Sequence, residues 1–452
     1  MLLNKVAFSF TSNSSEFFVL KSFTIEGNKK TKFRIISREL HFTSNDTISA
    51  DQLRWKINAY VNRLNSTKLF IDVKCRVDTV TPQKLHLHFI VEEAIFIAIS
   101  PNITLADRNF NIWYNNYQMQ LSRLNYSLKW RQQNMQGLNR TLETILQFGF
   151  NTGASIKYTI PYIGKRQNST IVATFNYTNA RQFHHQIANN KQLFFKDENK
   201  FVFNKIHGEV KYNYRLKNYS NFSLSLGIAN MAISNNLLLA NPNLLPNQQL
   251  NTFFVETNLQ YDYAKLDNIV YPLQGSHYRV FYNNKIGISA SHFAQESIYF
   301  ASFYYLPLPK KYNISVVSRN RFLIGNANAF YFQKALGFDP DYIRGYEYFV
   351  MNGTHFTINR LDLKKLILYQ VLNPKKMHHL PKLPIWILPK LFTDVGYVKA
   401  INNTPIASMN NIPLYSAGLG VDCRYGNIGI IRLEYAMNHL GQKGLFLHLT
   451  SL

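Results

Sequence analysis

From about residue 100 onward, polar and apolar side chains alternate at every second position, in run after run. Val255, Thr257, Leu259, Tyr261 and Tyr263 alternate with Glu256, Asn258, Gln260 and Asp262. Phe222, Leu224, Leu226 and Ile228 alternate with Ser223, Ser225 and Gly227. Near the end, Ile431, Leu433, Tyr435 and Met437 are set against Arg432, Glu434 and Ala436, and then Leu445, Leu447 and Leu449 against Phe446, His448 and Thr450. Successive side chains of a strand point to opposite faces, so each run predicts a strand with one apolar and one polar face. The runs recur about every 20 residues, and roughly 350 residues at about 22 per strand and connection give about 16 strands, an even number that can close an antiparallel barrel.

Earlier in the chain the period is different. Phe18 to Ile25 predicts a strand closed by the turn pair Gly27-Asn28. Thr31 to Leu40 has a helical pattern, and after a polar loop at Thr43 to Thr47 a second helix opens on Ser49-x-x-Gln52, a capping-box spacing, with Leu53, Ile57, Tyr60, Val61 and Leu64 on one face. Two alternating strands follow. In the first, Ile71, Val73, Cys75 and Val77 oppose Asp72, Lys74, Arg76 and Asp78; in the second, Leu85, Leu87, Phe89 and Val91 oppose His86, His88 and Glu92. Residues 17–95 therefore predict a small α+β domain of order β-α-α-β-β. His86 and His88 fall on the polar side of their strand and are expected to face solvent without binding metal.

Composition decides where the apolar faces go. Charged residues make up 17% of the chain and aromatics 15%, with 28 Tyr and 34 Phe. No stretch approaches the roughly 18 apolar residues of a membrane-spanning helix. Yet 46% hydrophobic residues is too much for a disordered chain, whatever the net charge of +25 suggests. The polar faces are often charged and the apolar faces rich in Tyr and Phe, as in the aromatic girdles of membrane barrels. In lipid every backbone polar group must be paired, and a closed barrel leaves no edge. Residues 96–452 are therefore expected to form an all-β transmembrane antiparallel barrel in preference to a soluble sandwich.

The charge itself points to no partner. Lys and Arg are spread along the whole chain beside 50 Asn, a compositional bias and not a nucleic-acid-binding patch. The same bias produces sequons such as Asn125-Tyr126-Ser127 and Asn313-Ile314-Ser315 by chance. Cys75 and Cys423 lack C-x-x-C or nearby His spacing, so neither a zinc site nor a disulfide framework is expected, and Cys75 is expected to be a small buried hydrophobe. Met1 to Phe10 carries one Lys and a short apolar run, less than a secretory signal needs, so a signal is either degenerate or not contained in this sequence. No cofactor, metal or nucleotide is implied. His184-His185 and His378-His379 are the candidate catalytic residues of a hydrolase, but no G-x-S-x-G elbow accompanies them, and the chain is expected not to be an enzyme.

Particular motifs add a resemblance. Residues 17–95 resemble a POTRA domain, with Ile25-Glu26-Gly27-Asn28 ending the first strand, Lys29 to Arg38 leading into the first helix and Leu69-Phe70 opening the second strand. Asp341-Tyr342-Ile343-Arg344-Gly345-Tyr346 is similar to the (V/I)-R-G-(F/Y) loop tip of the BamA/TamA-type outer-membrane assembly proteins, whose barrels have 16 strands and belong to the bacterial surface antigen type. Phe392-Thr393-Asp394-Val395-Gly396 is similar to their F-x-D-x-G strand. Leu105-Ala106-Asp107-Arg108-Asn109-Phe110-Asn111-Ile112-Trp113, Pro161-Tyr162-Ile163 and Tyr271-Pro272-Leu273-Gln274-Gly275 resemble the short single-POTRA forms of Bacteroidetes. Gln442 to Leu449 fits an outer-membrane targeting strand, although the sequence ends in Thr450-Ser451-Leu452 and not in Phe.

The resemblance implies an outer-membrane location with the POTRA domain in the periplasm, and a role in assembling or inserting β-barrel proteins. Client strands would add to a lateral seam between the first strand, expected within residues 121–131, and the last, at Gly444, Leu445, Leu447 and Leu449. The implied partners are unfolded outer-membrane clients and membrane lipid, with accessory lipoproteins as further candidates. The alternative is a translocation pore of the two-partner-secretion kind. Within either, Arg344 on a loop folded into the lumen needs an acceptor, because an unpaired desolvated guanidinium is costly. Asp394, sharing a strand face with Phe392 and Gly396, can supply it, while Gly345 frees the backbone and Tyr346 offers stacking area.

Overall fold

The computed structural model describes residues 17–40, 42–164, 166–197, 199–288, 292–325, 329–372, 383–400, 409–426 and 429–451. It divides into two compact units, one running to Ser100 and taking in Lys129–Thr144 and Ile156–Pro161, the other made of the remaining residues.

The first unit opens with β1 (Phe17–Glu26), α1 (Phe33–Leu40), β2 (Asp46–Ser49), α2 (Ala50–Ser66), β3 (Phe70–Thr81) and β4 (Lys84–Glu93). The sheet order is β2-β1-β4-β3, with β1 parallel to β4 and the other neighbours antiparallel. β2 is a correction to the expected β-α-α-β-β order. Asp46-Thr47-Ile48-Ser49 is too short and polar to show an apolar period, yet it pairs with Phe17 to Leu20. Ser49 does sit at the N-cap of α2, but its side chain makes no capping bond. It also closes the β2 ladder opposite Phe17.

The helices bury Ile35, Ile36 and Leu40 from α1 and Leu53, Ile57, Tyr60 and Leu64 from α2 against Leu20, Val73, Cys75, Leu85, Leu87 and Phe89 of the sheet. His86 and His88 lie on the other face, where Ser22 and Thr24 hydrogen-bond to them and His88 Nε2 reaches Glu26 Oε2 at 2.9 Å.

Cys75 is a free, buried thiol. Burial, with a smaller push from Asp78, raises it to about 12 from the ordinary 9.0. Folding therefore favours the thiol form, and the stability it contributes is complete below pH 9 and declines as pH rises above it. Alkylation of Cys75 by iodoacetamide at pH 8 should be on the order of a thousandfold slower in the folded protein than in urea, as three pKa units reduce the thiolate. Comparable rates in the two states would show that the thiol is not buried.

The remaining strands are β5 (Ile97–Leu105), β6 (Leu124–Met135), β7 (Arg140–Gly149), β8 (Asn151–Ile163), β9 (Ser169–Ala180), β10 (Gln182–Ala188), β11 (Lys191–Lys196), β12 (Phe203–Lys217), β13 (Ser220–Ile233), β14 (Asn251–Leu266) and β15 (Gly275–Gly287). They continue with β16 (Ala294–Leu308), β17 (Tyr312–Gly325), β18 (His355–Lys365), β19 (Leu368–Leu372), β20 (Leu383–Lys399), β21 (Leu414–Tyr425), β22 (Gly429–Asn438) and β23 (Lys443–Ser451). β10 and β11 form a separate hairpin, and the others close into a barrel in which β23 lies next to β5 and β9 next to β12. β18 and β19 pair successive stretches of β20 and count as one strand, which gives sixteen in the wall among the described residues.

The first wall strand is thus β5, not a segment within 121–131; most of that segment belongs to the second strand, β6. The sequence conceals β5 because Ile97–Leu105 contains Pro101 and is exposed at all but its last residue, so no buried face imposes a period of two.

Elsewhere the alternation sorts the faces as expected. Leu226, Ile228, Leu259 and Tyr261 are exposed on the outer face, whereas Ser223 and Ser225 are buried. Asn258 bonds Ser225, and Glu256 bonds His207. Single cysteines at Leu226 or Leu259, in a background lacking Cys75 and Cys423, should resist a membrane-impermeant maleimide in native membranes, and cysteines at Glu256 or Asn258 should react. Equal labelling of both sets would contradict a lipid-facing outer surface.

Candidate functional site

Between β17 and β18, residues 329–354 fold back against the inner faces of the last wall strands, and the tip Ile343-Arg344-Gly345-Tyr346 is almost wholly buried. Strand parity builds the receiving surface. On β20 the inward positions are Lys390, Phe392, Asp394, Gly396 and Val398. Ser416, Gly420 and Asp422 are buried on β21, and Glu434, Ala436 and Asn438 on β22.

Arg344 is held on every side. Its Nε lies 3.1 and 3.0 Å from the two carboxylate oxygens of Asp394, its Nη2 lies 2.5 Å from Oδ1, and its backbone N–H donates to Oδ2 at 3.0 Å. Nη1 lies 2.7 Å from Asp362 and 3.6 Å from Glu434, and the guanidinium carbon is 3.9 Å from the centre of the Phe392 ring. A planar fork with its donors distributed in this way suits a carboxylate-rich pocket better than an ammonium would.

The neighbouring residues fit around the tip. Gly345 takes φ +83°, where a Cβ would also lie 3.3 Å from the Cβ of Ala436. Its carbonyl accepts from Asn438 Nδ2 at 3.0 Å. Tyr346 donates its hydroxyl to the Tyr415 carbonyl at 3.1 Å, contacts His439 Nδ1, and stacks on the His439 ring. At Gly396, a Cβ would lie 2.4 Å from Cδ1 of Ile343, so a bare backbone is what admits the loop.

Charges that sequence reading did not single out complete the network. Lys390 bridges Asp422 and Glu434 at 2.6 Å each, Lys364 pairs with Asp362, and Arg360 lies 3.4 Å from Asp394 while donating to the Tyr342 carbonyl. Tyr271, from the β14–β15 turn, donates to Asp422 at 2.6 Å. The available signal was parity, since Asp362, Lys390, Asp422 and Glu434 all occupy the inward positions of alternating strands. On the opposite side of the loop, Arg108 donates to the carbonyls of Gly337, Phe349 and Glu347, the last two at 2.9 and 2.7 Å.

The terminal-strand residues divide by face. Leu445 and Leu449 are exposed outward and Leu447 is half-buried. Gly444 is covered by the ring of Phe446, which would lie 2.6 Å from an added Cβ, and Phe446 packs in turn with Phe392 and Ala436. The missing side chain at 444 is thus made good by an aromatic neighbour, and the β22–β23 pairing runs unbroken from Met437↔Lys443 to Gly429↔Ser451.

Among the described residues, two groups could offer a metal three ligand atoms within 4.8 Å of one another, His207 with Glu209 and Glu256, and Glu347 with Glu434 and His448. In both, the imidazole faces carboxylates, with His207 2.7 Å from Glu256 and His448 3.4 and 3.3 Å from the two glutamates. His184 lies among Phe194, Phe330 and Phe338. Burial, reinforced by Lys334, lowers it to about 3, so it is neutral and poorly suited to proton transfer at neutral pH. His378 and His379 fall outside the described residues.

Residues 18–94 match the POTRA family, described as a surface antigen variable number repeat. The structure of BamA from Haemophilus ducreyi lacking POTRA domains 1–3 is similar over 96% of this chain and 85% of that one, with a TM-score of 0.64 at 14% identity. The chain folds as a BamA-like barrel with a POTRA domain. CdiB from Acinetobacter baumannii is similar over 96% of this chain and 73% of its own, with a TM-score of 0.50 at 12% identity. No curated protein sequence matches the chain. In this BamA-like barrel the buried Arg344–Asp394 pair joins a loop to the wall within four strands of the closing seam.

Proposed function

We propose that this BamA-like barrel lies in the outer membrane with its POTRA domain in the periplasm, and that it is a non-enzymatic factor that inserts or assembles other outer-membrane β-barrel proteins. Unfolded clients and membrane lipid are its partners. A client strand adds to the edge of β23 by β-augmentation, in which main-chain hydrogen bonds give affinity for any extended segment. The observation that carries this reading is the character of β5. The strand that must part from β23 is exposed along its length and contains a proline, so little side-chain packing opposes its separation. The loop bearing Arg344 keeps the inner wall beside that seam in one arrangement while the edge is open.

Proximity crosslinking in living cells, from photoreactive residues placed at positions 444–450, tests the proposal. Nascent outer-membrane proteins are the expected products. One secreted protein in their place would favour the second reading, a two-partner-secretion-type translocation pore. The observation on that side is the patch formed by Glu209, Lys211, Ser223, Ser225, Asn258 and Gln260 beside Phe281, whose polar side chains suit passage of an extended chain.

A further inference from the structure

The block Asp107–Trp113 forms no part of the ion pairs around Arg344, yet the fold sets it against the last strand. Asn111 lies in α3 (Phe110–Tyr117) and is 4% exposed. The Leu447 N–H donates to Asn111 Oδ1 at 3.0 Å, and Asn111 Nδ2 donates to the Leu447 carbonyl at 3.4 Å. Leu447 is in the middle of β23, opposite Leu433 of β22. In an antiparallel ladder, residues alternate between exchanging both backbone bonds with the facing strand and exchanging neither. Because Leu447 uses both groups on Asn111, they point away from β22, toward the side of β23 where the seam closes. A carboxamide presents one acceptor and one donor side by side, as a residue of a neighbouring strand does. At this position Asn111 stands in for a strand.

The side chain is held there by its neighbours. Asn109 caps α3 by accepting from the Ile112 N–H at 2.9 Å, and its own Nδ2 donates to the Glu347 carbonyl at 3.0 Å. Arg108 anchors the same segment on three carbonyls of the Arg344 loop. Asn115 donates to the Tyr348 hydroxyl, and the Tyr348 ring lies 5.7 Å from that of Phe446 on β23.

We infer that Asn111 is a seam clamp: its carboxamide occupies the backbone position at Leu447 that an incoming strand would need, and Arg108 and Asn109 tie its release to the loop that carries Arg344. The clamp itself stands on these hydrogen bonds, and its consequence for clients rests on the β-augmentation reading above. A client strand displaces one side chain at this point before it can pair.

The test uses the full-length protein in lipid nanodiscs. Amide hydrogen exchange is followed at Leu447, with Val73 of the POTRA domain as an internal control, and capture of a photoreactive peptide of the sequence Gln442–Leu449 is measured in parallel. Asn111→Ala is expected to speed exchange at Leu447 about tenfold, the scale of one lost hydrogen bond, with Val73 unchanged and peptide capture increased. Asn111→Asp keeps the acceptor and is expected to preserve most of the protection. Should the Ala variant not fold, Asn111→Leu retains the buried volume without either bond and carries the same expectation as Ala. Unchanged exchange at Leu447 in the Ala or Leu variant would overturn the clamp. Faster exchange without added peptide capture would sustain the clamp and count against β23 as the edge that accepts clients.

Discussion

Arg344→Ala is expected to destabilise the packed loop by about 3–5 kcal/mol, the usual cost of leaving a buried ion-pair partner without its mate. Asp394 has no exposure and makes four of its contacts with Arg344. Arg360 at 3.4 Å and Lys390 beside Glu434 soften the loss, which places it toward the lower end of that range. Hydrogen exchange across residues 329–354 and urea unfolding in micelles both report it.

In a double-mutant cycle, Arg344→Ala combined with Asp394→Ala should be far less damaging than the sum of the two. Exchanging the charges, by Arg344→Asp with Asp394→Arg, is expected to recover little. A carboxylate at 344 would face Asp362 and Glu434, and a guanidinium at 394 would face Arg360. Strict additivity in the cycle would show that the pair is not coupled. Full recovery on exchange would show that the surrounding charges do not hold Arg344 as described.

Much of this organisation could be read from residue order alone, because a membrane barrel enforces its period on every strand that has one wet and one greasy face. Leu259 and Tyr261 outside, and Asn258 and Glu256 inside, follow from that constraint. The Arg344–Asp394 pair was legible through the resemblance of two short motifs to the loop tip and strand of the BamA/TamA-type proteins; taken alone, a loop guanidinium is as readily satisfied by solvent. Asp362, Lys390, Asp422 and Glu434 were visible only as inward-facing charges, and pairing among them depends on register across β18 to β22, which no single strand encodes.

The two misplaced strands share a cause. β2 is short and polar, and β5 is exposed on both faces, so neither has the buried side that makes alternation appear. Asn111 was hidden for a different reason. A buried Asn on a short helix gives no sign in sequence of which backbone it serves, and its partner lies 336 positions away.

Closing the seam covalently tests lateral opening most directly. Cysteine pairs placed between Ile97–Leu105 and Leu445–Leu449, in a chain lacking Cys75 and Cys423, would join the first and last wall strands. An assembly barrel has to let these strands part, because a fully zipped barrel offers no free edge to a client. The oxidised protein is expected to remain folded and embedded in the membrane, to lose client assembly completely, and to regain it when the disulfide is reduced. Undiminished assembly with the seam covalently shut would contradict lateral opening and leave passage through the lumen as the mechanism to pursue.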